Sequence, residues 1–351
     1  EPEEDLDFAE YEQQLTETYN EGARLEVELD AAENRIVQAC MERQGFTVHD
    51  PWELREPEAA ERETFMDAPP YDLYLPTVED ARRRGFWQWT FLDGAAEVED
   101  GDALLAEWDE AQGDMGWAEI DFTEEDPQEA FHALPDDEQF AWYTAYAGEP
   151  WAEWMHGDLV GIAPDEIEGE WDGPETGGCK LEMIEAVYGG LDEGEDEHSV
   201  RPMRPDGDWT RMKERYASET AGAEGDLLDC LADRGRDGWE FYDGQLLVHD
   251  YLVAAGEGEY ALNSYPDAGT RWPDPPADLP DADDAQGWLD YERDLATDFA
   301  ECGDESGYRE AAVHGWQQAQ LRYYLDNEDA VYGWQEEIRD LIARAQDAIG
   351  D

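Results

Sequence analysis

Lysine is nearly missing from this chain. Of 351 residues only Lys180 and Lys213 are lysine, and every other basic side chain that stays charged at neutral pH is arginine. With 22 Lys and Arg against 94 Asp and Glu, the chain lacks the cationic surface through which proteins release counterions from phosphates, which excludes direct nucleic-acid binding. The cluster Arg82, Arg83, Arg84 is too small to reverse that sign. Long apolar runs are missing as well, so no segment reads as a bilayer span. Serine is scarce: Ser199, Ser218, Ser264 and Ser306 all lie outside a GxSxG motif. No GxxxxGK occurs, and no GxGxxG follows a strand, which sets aside acyl-transfer and nucleotide chemistry. The histidines, His49, His132, His156, His198, His249 and His314, form neither HExxH nor another paired metal spacing.

What the chain has in excess is carboxylate. A formal net charge of -72 spread along the whole length disfavours a compact state unless salt, ions or partners screen it. The acids are interleaved with 15 Trp, 17 Tyr and 10 Phe, an aromatic load that a disordered acidic solubiliser does not carry, so the chain is expected to fold. Carboxylates replacing surface lysines suit a salt-rich environment. A calcium-loaded surface protein at ordinary salt would explain the acids but not the missing lysine. The length accommodates about two domains.

Four cysteines, Cys40, Cys179, Cys230 and Cys302, are far apart, even in number and without a CxxC neighbour. That pattern favours two structural disulfides in an oxidising compartment over zinc ligation, with four buried thiols as the alternative. The chain opens at Glu1 rather than Met, which leads to the expectation of a mature protein whose signal peptide or lipid-anchor cysteine precedes it.

Periodicity places each cysteine near a helix end. Phe8, Tyr11, Leu15 and Tyr19, then Leu25, Leu29, Ala32, Ile36 and Cys40, predict a helix over about 6–43, weak at Asn20 and Gly22 and stopped by Gly45. Phe46, Thr47 and Val48 look extended. Leu227, Leu228, Cys230 and Leu231 predict a short helix over 226–234 with a strand-like aromatic exit at 238–241. Cys179 follows Gly177 and Gly178 and opens the run Leu181, Met183, Ile184, Val187; Cys302 lies at the end of a helix over 288–301. Each half thus has one cysteine on an early and one on a late helix. A weak internal duplication with pairs Cys40–Cys179 and Cys230–Cys302 fits this pattern, although four cysteines permit three connectivities.

Other helices are expected over 78–84, capped by Thr77; over 135–147; and over 308–349, where Trp334, Ile338, Leu341 and Ala345 form a stripe. The run QLLVHDYLVA at 245–254 reads equally as a strand hairpin or a buried helix. Residues 190–208, rich in Gly, Pro and charge, form the expected boundary or hinge, and the Pro- and Asp-rich 265–284 an extended connector. The fold class is therefore mainly α: helical bundle-like halves with irregular acidic connectors and a few short strands. The domains are an N-terminal helical module 1–195 holding Cys40 and Cys179, and a C-terminal helical module 209–351 holding Cys230 and Cys302.

The segments CMERQGF at Cys40, YLPTVEDARRRGF ending at Phe86, DPQEAFHALPDDEQFAWYTAYAG from Asp126, GGCKLEMIEAVYGG at Cys179 and DLLDCLADRGRDGW at Cys230 resemble those of uncharacterised secreted, lipid-anchored, disulfide-containing proteins of actinobacteria. The resemblance covers most of the chain. It implies an extracellular or cell-surface location and disulfides, and it implies no activity. Trp87 and Trp89 after the Gly85–Phe86 stop, and the density of acids, depart from that pattern.

Two kinds of site remain. Trp87 with Trp89, or Trp151 with Trp154, beside acidic residues could stack a ligand such as a sugar, although core packing is the commoner use of Trp. Asp192, Glu193, Glu195 and Asp196 in DEGEDEH could collect a hard cation such as calcium, as could Asp281, Asp283 and Asp284, but neither cluster has the EF-hand order. No catalytic residue and no other cofactor is indicated. The expected function is a non-enzymatic extracellular or cell-envelope binding or assembly protein adapted to high salt, with a basic or envelope-associated protein, or copies of itself, as partner. Contact with a membrane would come only through a lipid anchor. The alternative is a carbohydrate-active enzyme or sugar-binding protein using Trp-lined acidic clefts.

Overall fold

The computed structural model describes residues 5–55, 57–112, 129–162, 174–191, 197–257, 271–281 and 283–350. The elements among them are α1 (Phe8–Arg43), α2 (Val78–Arg84), α3 (Gly101–Gln112), α4 (Glu129–His132), α5 (Asp136–Ala147), α6 (Glu149–His156), α7 (Gly178–Val187), α8 (Glu197–Val200), α9 (Trp209–Asp233), α10 (Val248–Glu257), α11 (Ala285–Glu305) and α12 (Tyr308–Gly350), with short 3-10 turns between. None of these helices is long and apolar enough to cross a membrane.

The fold is predominantly α-helical, and the expected short strands are not among the described residues. Among the described residues the one β feature is an isolated antiparallel bridge between Tyr242 and Gln245. The extended-looking exits find local partners instead of a ladder. Phe46 N–H returns to Met41 O at 3.2 Å, and Glu240 N–H reaches Arg271 O at 3.0 Å, single bonds with no neighbouring strand to extend them. The ambiguous run at 245–254 forms the bridge and then α10.

Helix ends follow local chemistry. Thr77 Oγ1 accepts from Asp80 N–H at 3.1 Å to cap α2, while Arg82, Arg83 and Arg84 lie at its negative end. Asp208 and Asp284 cap α9 and α11 in the same way. The short helix expected over 226–234 is the last part of α9, a helix of 25 residues whose N-terminal stretch carries Met212 and Tyr216 into the core.

The chain forms two compact units. One takes Glu1–Glu10, Met66–Ile120 and Gly207–Leu325, the other Tyr11–Phe65, Asp121–Asp206 and Asp326–Asp351, as far as these segments are described. The expected modules 1–195 and 209–351 are contiguous, whereas these units draw on interleaved segments; the passage between Asp206 and Gly207 falls in the expected boundary region.

In the second unit Leu29, Met41, Trp142, Ile184, Val187 and Ile338 are buried in one core. The disulfide Cys40–Cys179 joins α1 to α7 inside it, with Cα atoms 5.7 Å apart. Helix α1 runs unbroken through its two weak positions, because each is a packing contact. Asn20 exchanges two hydrogen bonds of 2.9 Å with the Arg62 backbone, and a Cβ on Gly22 would stand 3.0 Å from the Trp334 ring. The expected hinge is pinned within this unit by Trp334 Nε1 donating to Pro202 O and Asn327 Nδ2 to Pro205 O.

In the first unit α11 is the central element, packed on α2 and α9. Ala81, Ala296 and Ala300, all fully buried, allow α2 to approach closely, and Phe299, Leu295 and Leu289 enter a core shared with Leu227, Leu231, Tyr308 and Trp316. Cys230–Cys302 joins α9 to α11 with Cα atoms 5.6 Å apart. Arginine does locally what lysine could not: Arg234 forks to Glu301 at 2.6 Å and Glu305 at 2.8 Å, while Arg236 reaches Asp298 at 2.8 Å.

Candidate functional site

Within the first unit, α2 ends at Gly85, where φ is +65°, and two residues later Trp87 also takes a left-handed conformation, φ 70°. A non-glycine residue in that region costs about 1–2 kcal/mol. Packing offsets it: the Trp87 ring lies under the Arg84 guanidinium at 4.9 Å, stacks on Trp89 at 6.4 Å and meets Trp108 at 5.5 Å. This sharp turn aims backbone N–H groups at one side chain on α11. Phe86 N–H and Gln88 N–H donate to Glu292 Oε2 at 3.0 and 3.2 Å, a small anion-binding nest.

Glu292 is fully buried, and its second oxygen, Oε1, has no hydrogen-bond partner. Burial pushes its pKa from an ordinary 4.5 up to about 8 against the opposing pull of the Phe86, Trp89 and Gln88 backbone donors, which favours the neutral acid at pH 7. A buried acceptor left unmade is costly, and such groups call for a structural or ligand explanation.

Glu292 lines a cavity of about 450 Å³, within the range of small-molecule sites. Trp288, one turn earlier on α11, and Trp89 supply aromatic wall; α10 supplies His249, Leu252, Val253 and Gly256, spaced so that they share one helix face. Both indole N–H groups are tied to backbone, Trp89 to Arg84 O at 3.0 Å and Trp288 to Asp281 O at 3.2 Å. Phe91, also on the lining, is 68% exposed. Chemically, the site offers a half-open apolar cleft, aromatic surface and one carboxyl poised between acid and anion. Among the described residues it contains no second carboxylate, no Lys and no Arg.

The sequence-derived candidates are distributed as follows. Trp87 and Trp89 stack on each other, and Trp89 lines the cavity. Trp151 and Trp154 lie on α6 in the other unit: Trp151 packs against Tyr143 and Tyr146, and Trp154 is exposed. Asp192, Glu193, Glu195 and Asp196 lie outside the described residues. Asp284 serves as the cap of α11 and Asp281 accepts the Trp288 indole. No group of His, Cys, Asp or Glu among the described residues is arranged to hold a metal ion. In the second unit, Tyr143 donates to Asp50 at 2.6 Å and stacks on His156, whose pKa burial lowers.

Glu292 was not singled out from sequence. A signal existed: Trp288, Glu292, Leu295 and Phe299 are spaced four, three and four, so the acid occupies an apolar slot of the α11 stripe. Compared with protein families, with curated proteins and with solved structures, the chain matches none.

Proposed function

We propose that this is a non-enzymatic binding protein of the extracellular or cell-envelope face, adapted to salt-rich surroundings, and that it holds a small ligand in the cavity beside Glu292. The observation that carries this reading is the half-open, largely apolar cavity with one unpartnered, fully buried carboxyl oxygen. Binding sites of this form combine apolar walls with a few placed polar groups. Two disulfides favour an oxidising compartment, and the acid-rich, lysine-poor composition favours high salt. Attachment through a lipid anchor, a basic envelope partner or self-assembly, and calcium at Asp192, Glu193, Glu195 and Asp196 are further parts of the same proposal.

A second reading, a carbohydrate-active enzyme, is favoured by one observation: a carboxyl with raised pKa beside tryptophans is what a general acid needs. Glycoside hydrolysis usually takes a second carboxyl about 5–9.5 Å away, and the described lining supplies Glu292 alone. The two readings separate in one experiment. Protein purified from its native source at the salt of growth is denatured and its small-molecule content identified by mass spectrometry, with Leu252→Trp, which fills the cavity, as control. A bound compound in the wild type and not in Leu252→Trp supports the binding reading. Turnover of wall fragments or polysaccharide that is lost in Glu292→Gln would replace it with the enzyme.

A further inference from the structure

The carboxyl of Glu292 is asymmetric in its surroundings, and the asymmetry specifies what should lie against it. Oε2 is held by the N–H groups of Phe86 and Gln88, donors that stabilise negative charge at that oxygen, while Oε1 has none. An anionic ligand would meet the carboxyl with no Lys or Arg in the described lining to compensate it. A neutral apolar ligand would leave Oε1 unsatisfied. The walls answer in the same sense: with both indole N–H groups turned to backbone carbonyls, Trp89 and Trp288 offer ring surface, which attracts cations. The chain-wide charge of -72 also raises the local concentration of small cations.

We infer that the ligand is an organic amine whose ammonium group donates to Glu292 Oε1 while its apolar body lies against Trp89, Trp288 and Leu252. This rests on the binding reading above and gives it a substrate class. The proton balance is explicit. Before the ligand binds, the carboxyl at pH 7 is the neutral acid; binding of the protonated amine converts it to carboxylate, and the displaced proton passes to solvent. Affinity therefore rises with pH, about tenfold per unit, up to the pKa of about 8 and then levels. The charged and titratable groups around Glu292 are few. The turn after α2 presents backbone N–H groups. Arg84 on α2 is paired with Asp80 and lies over Trp87, and on α11 itself Arg293 donates to Arg83 O. On α10, His249 is the other titratable residue of the described lining, and Asp250 follows it, buried.

The test uses the intact chain at molar salt and two probes with the same apolar body, phenethylamine and 2-phenylethanol, by calorimetry in phosphate and in Tris. The expected result is amine binding about 10- to 100-fold tighter than alcohol. The apparent enthalpies should differ between buffers by the release of about one proton at pH 7. Glu292→Gln should abolish the preference and the proton release while the alcohol still binds weakly. His314→Gln, outside this lining, should keep both. If the alcohol binds as well as the amine, or no proton is released, the amine assignment is overturned and the cavity remains a binding site. If neither probe binds and Leu252→Trp changes nothing in the native-source ligand content, the binding reading falls with it.

Discussion

The backbone N–H of Phe86 donates to Glu292 Oε2 at 3.0 Å across 206 positions of sequence. That contact joins the end of α2 to the middle of α11 at a place where the α2 side is a strained turn and the α11 side a buried acid. Two features that would each be unfavourable alone, left-handed Trp87 and buried Glu292, are held by the same few bonds. Strain of this kind concentrates where structure serves binding.

Glu292→Gln tests the buried acid without removing its contacts, since an amide oxygen can still accept from Phe86 and Gln88. The folded pKa of about 8 lies above the ordinary 4.5, so between those values the native state holds a proton that the unfolded state has lost. The contribution of this group to stability is present below about pH 4.5 and is lost as pH rises to about 8, at up to about 1.4 kcal/mol per pH unit. Denaturant titrations across pH 5–8 should show the wild type losing stability more steeply than Glu292→Gln, with the curves parallel above pH 9. Parallel curves throughout would mean the carboxyl is solvated.

Gly85→Ala addresses the turn. Its φ of +65° disfavours any side chain, and a Cβ there would lie 2.7 Å from the Cβ of Glu292, well inside contact distance. A loss of about 1–3 kcal/mol is expected by chemical denaturation. Gly45→Ala, also at a positive φ (+97°) but with nothing within 4 Å of its Cβ, should lack the steric part of that cost.

The disulfides should act separately. Replacing Cys230 and Cys302 by Ser removes a link across 72 positions, and replacing Cys40 and Cys179 one across 139. Each pair should cost about 2–5 kcal/mol, more for the longer loop in the chain-entropy account. Limited proteolysis should open the first unit in the former variant and the second unit in the latter. Identical cleavage patterns would contradict the assignment of one bridge to each core.

Salt dependence follows from the net charge. The screening length falls from about 10 Å at 0.1 M to about 3 Å at 1 M, which removes most repulsion between neighbouring surface carboxylates. The melting temperature should rise steeply over that range, and millimolar calcium should reproduce part of the rise if 192–196 binds it. A flat profile would show the charges already neutralised by a fixed partner, and the high-salt reading would be dropped.

The elements legible in sequence were those specified locally. Helix α2 carries its own cap, dipole complement and stop within Thr77–Gly85; α7 is bracketed by Gly177 and Gly189, and α12 carries the stripe Trp334, Ile338, Leu341 and Ala345. The cysteine pairs were indicated by their helix contexts, with the connectivity open. What local pattern left open or misplaced depended on distant partners. The run at 245–254, open between a strand hairpin and a buried helix, is helical from Val248, with Val248, Tyr251 and Leu252 buried in the core. The aromatic exits at 46–48 and 238–241 lacked a neighbouring strand. The helix expected over 6–43 is α1, and Asn20 and Gly22 read only as a weak point within it because Arg62 and Trp334, which pack on them, lie 42 and about 300 positions away. Glu292 was one acid among 94, and nothing local distinguishes a buried one except its place in an apolar stripe.

The interleaving of the two units has a consequence for synthesis. The first unit needs Tyr308, Ala312 and Trp316 for its core, and the second needs Trp334, Ile338 and Leu341, all on α12. As the chain emerges from the ribosome, neither core can close until this late helix has been made. Exposed aromatic surface must therefore persist until α12 has been made. A fragment stopping before Tyr308 leaves both units unfinished, so neither can be produced by cutting the chain once, and the segments before α12 have to be kept from associating until it is present.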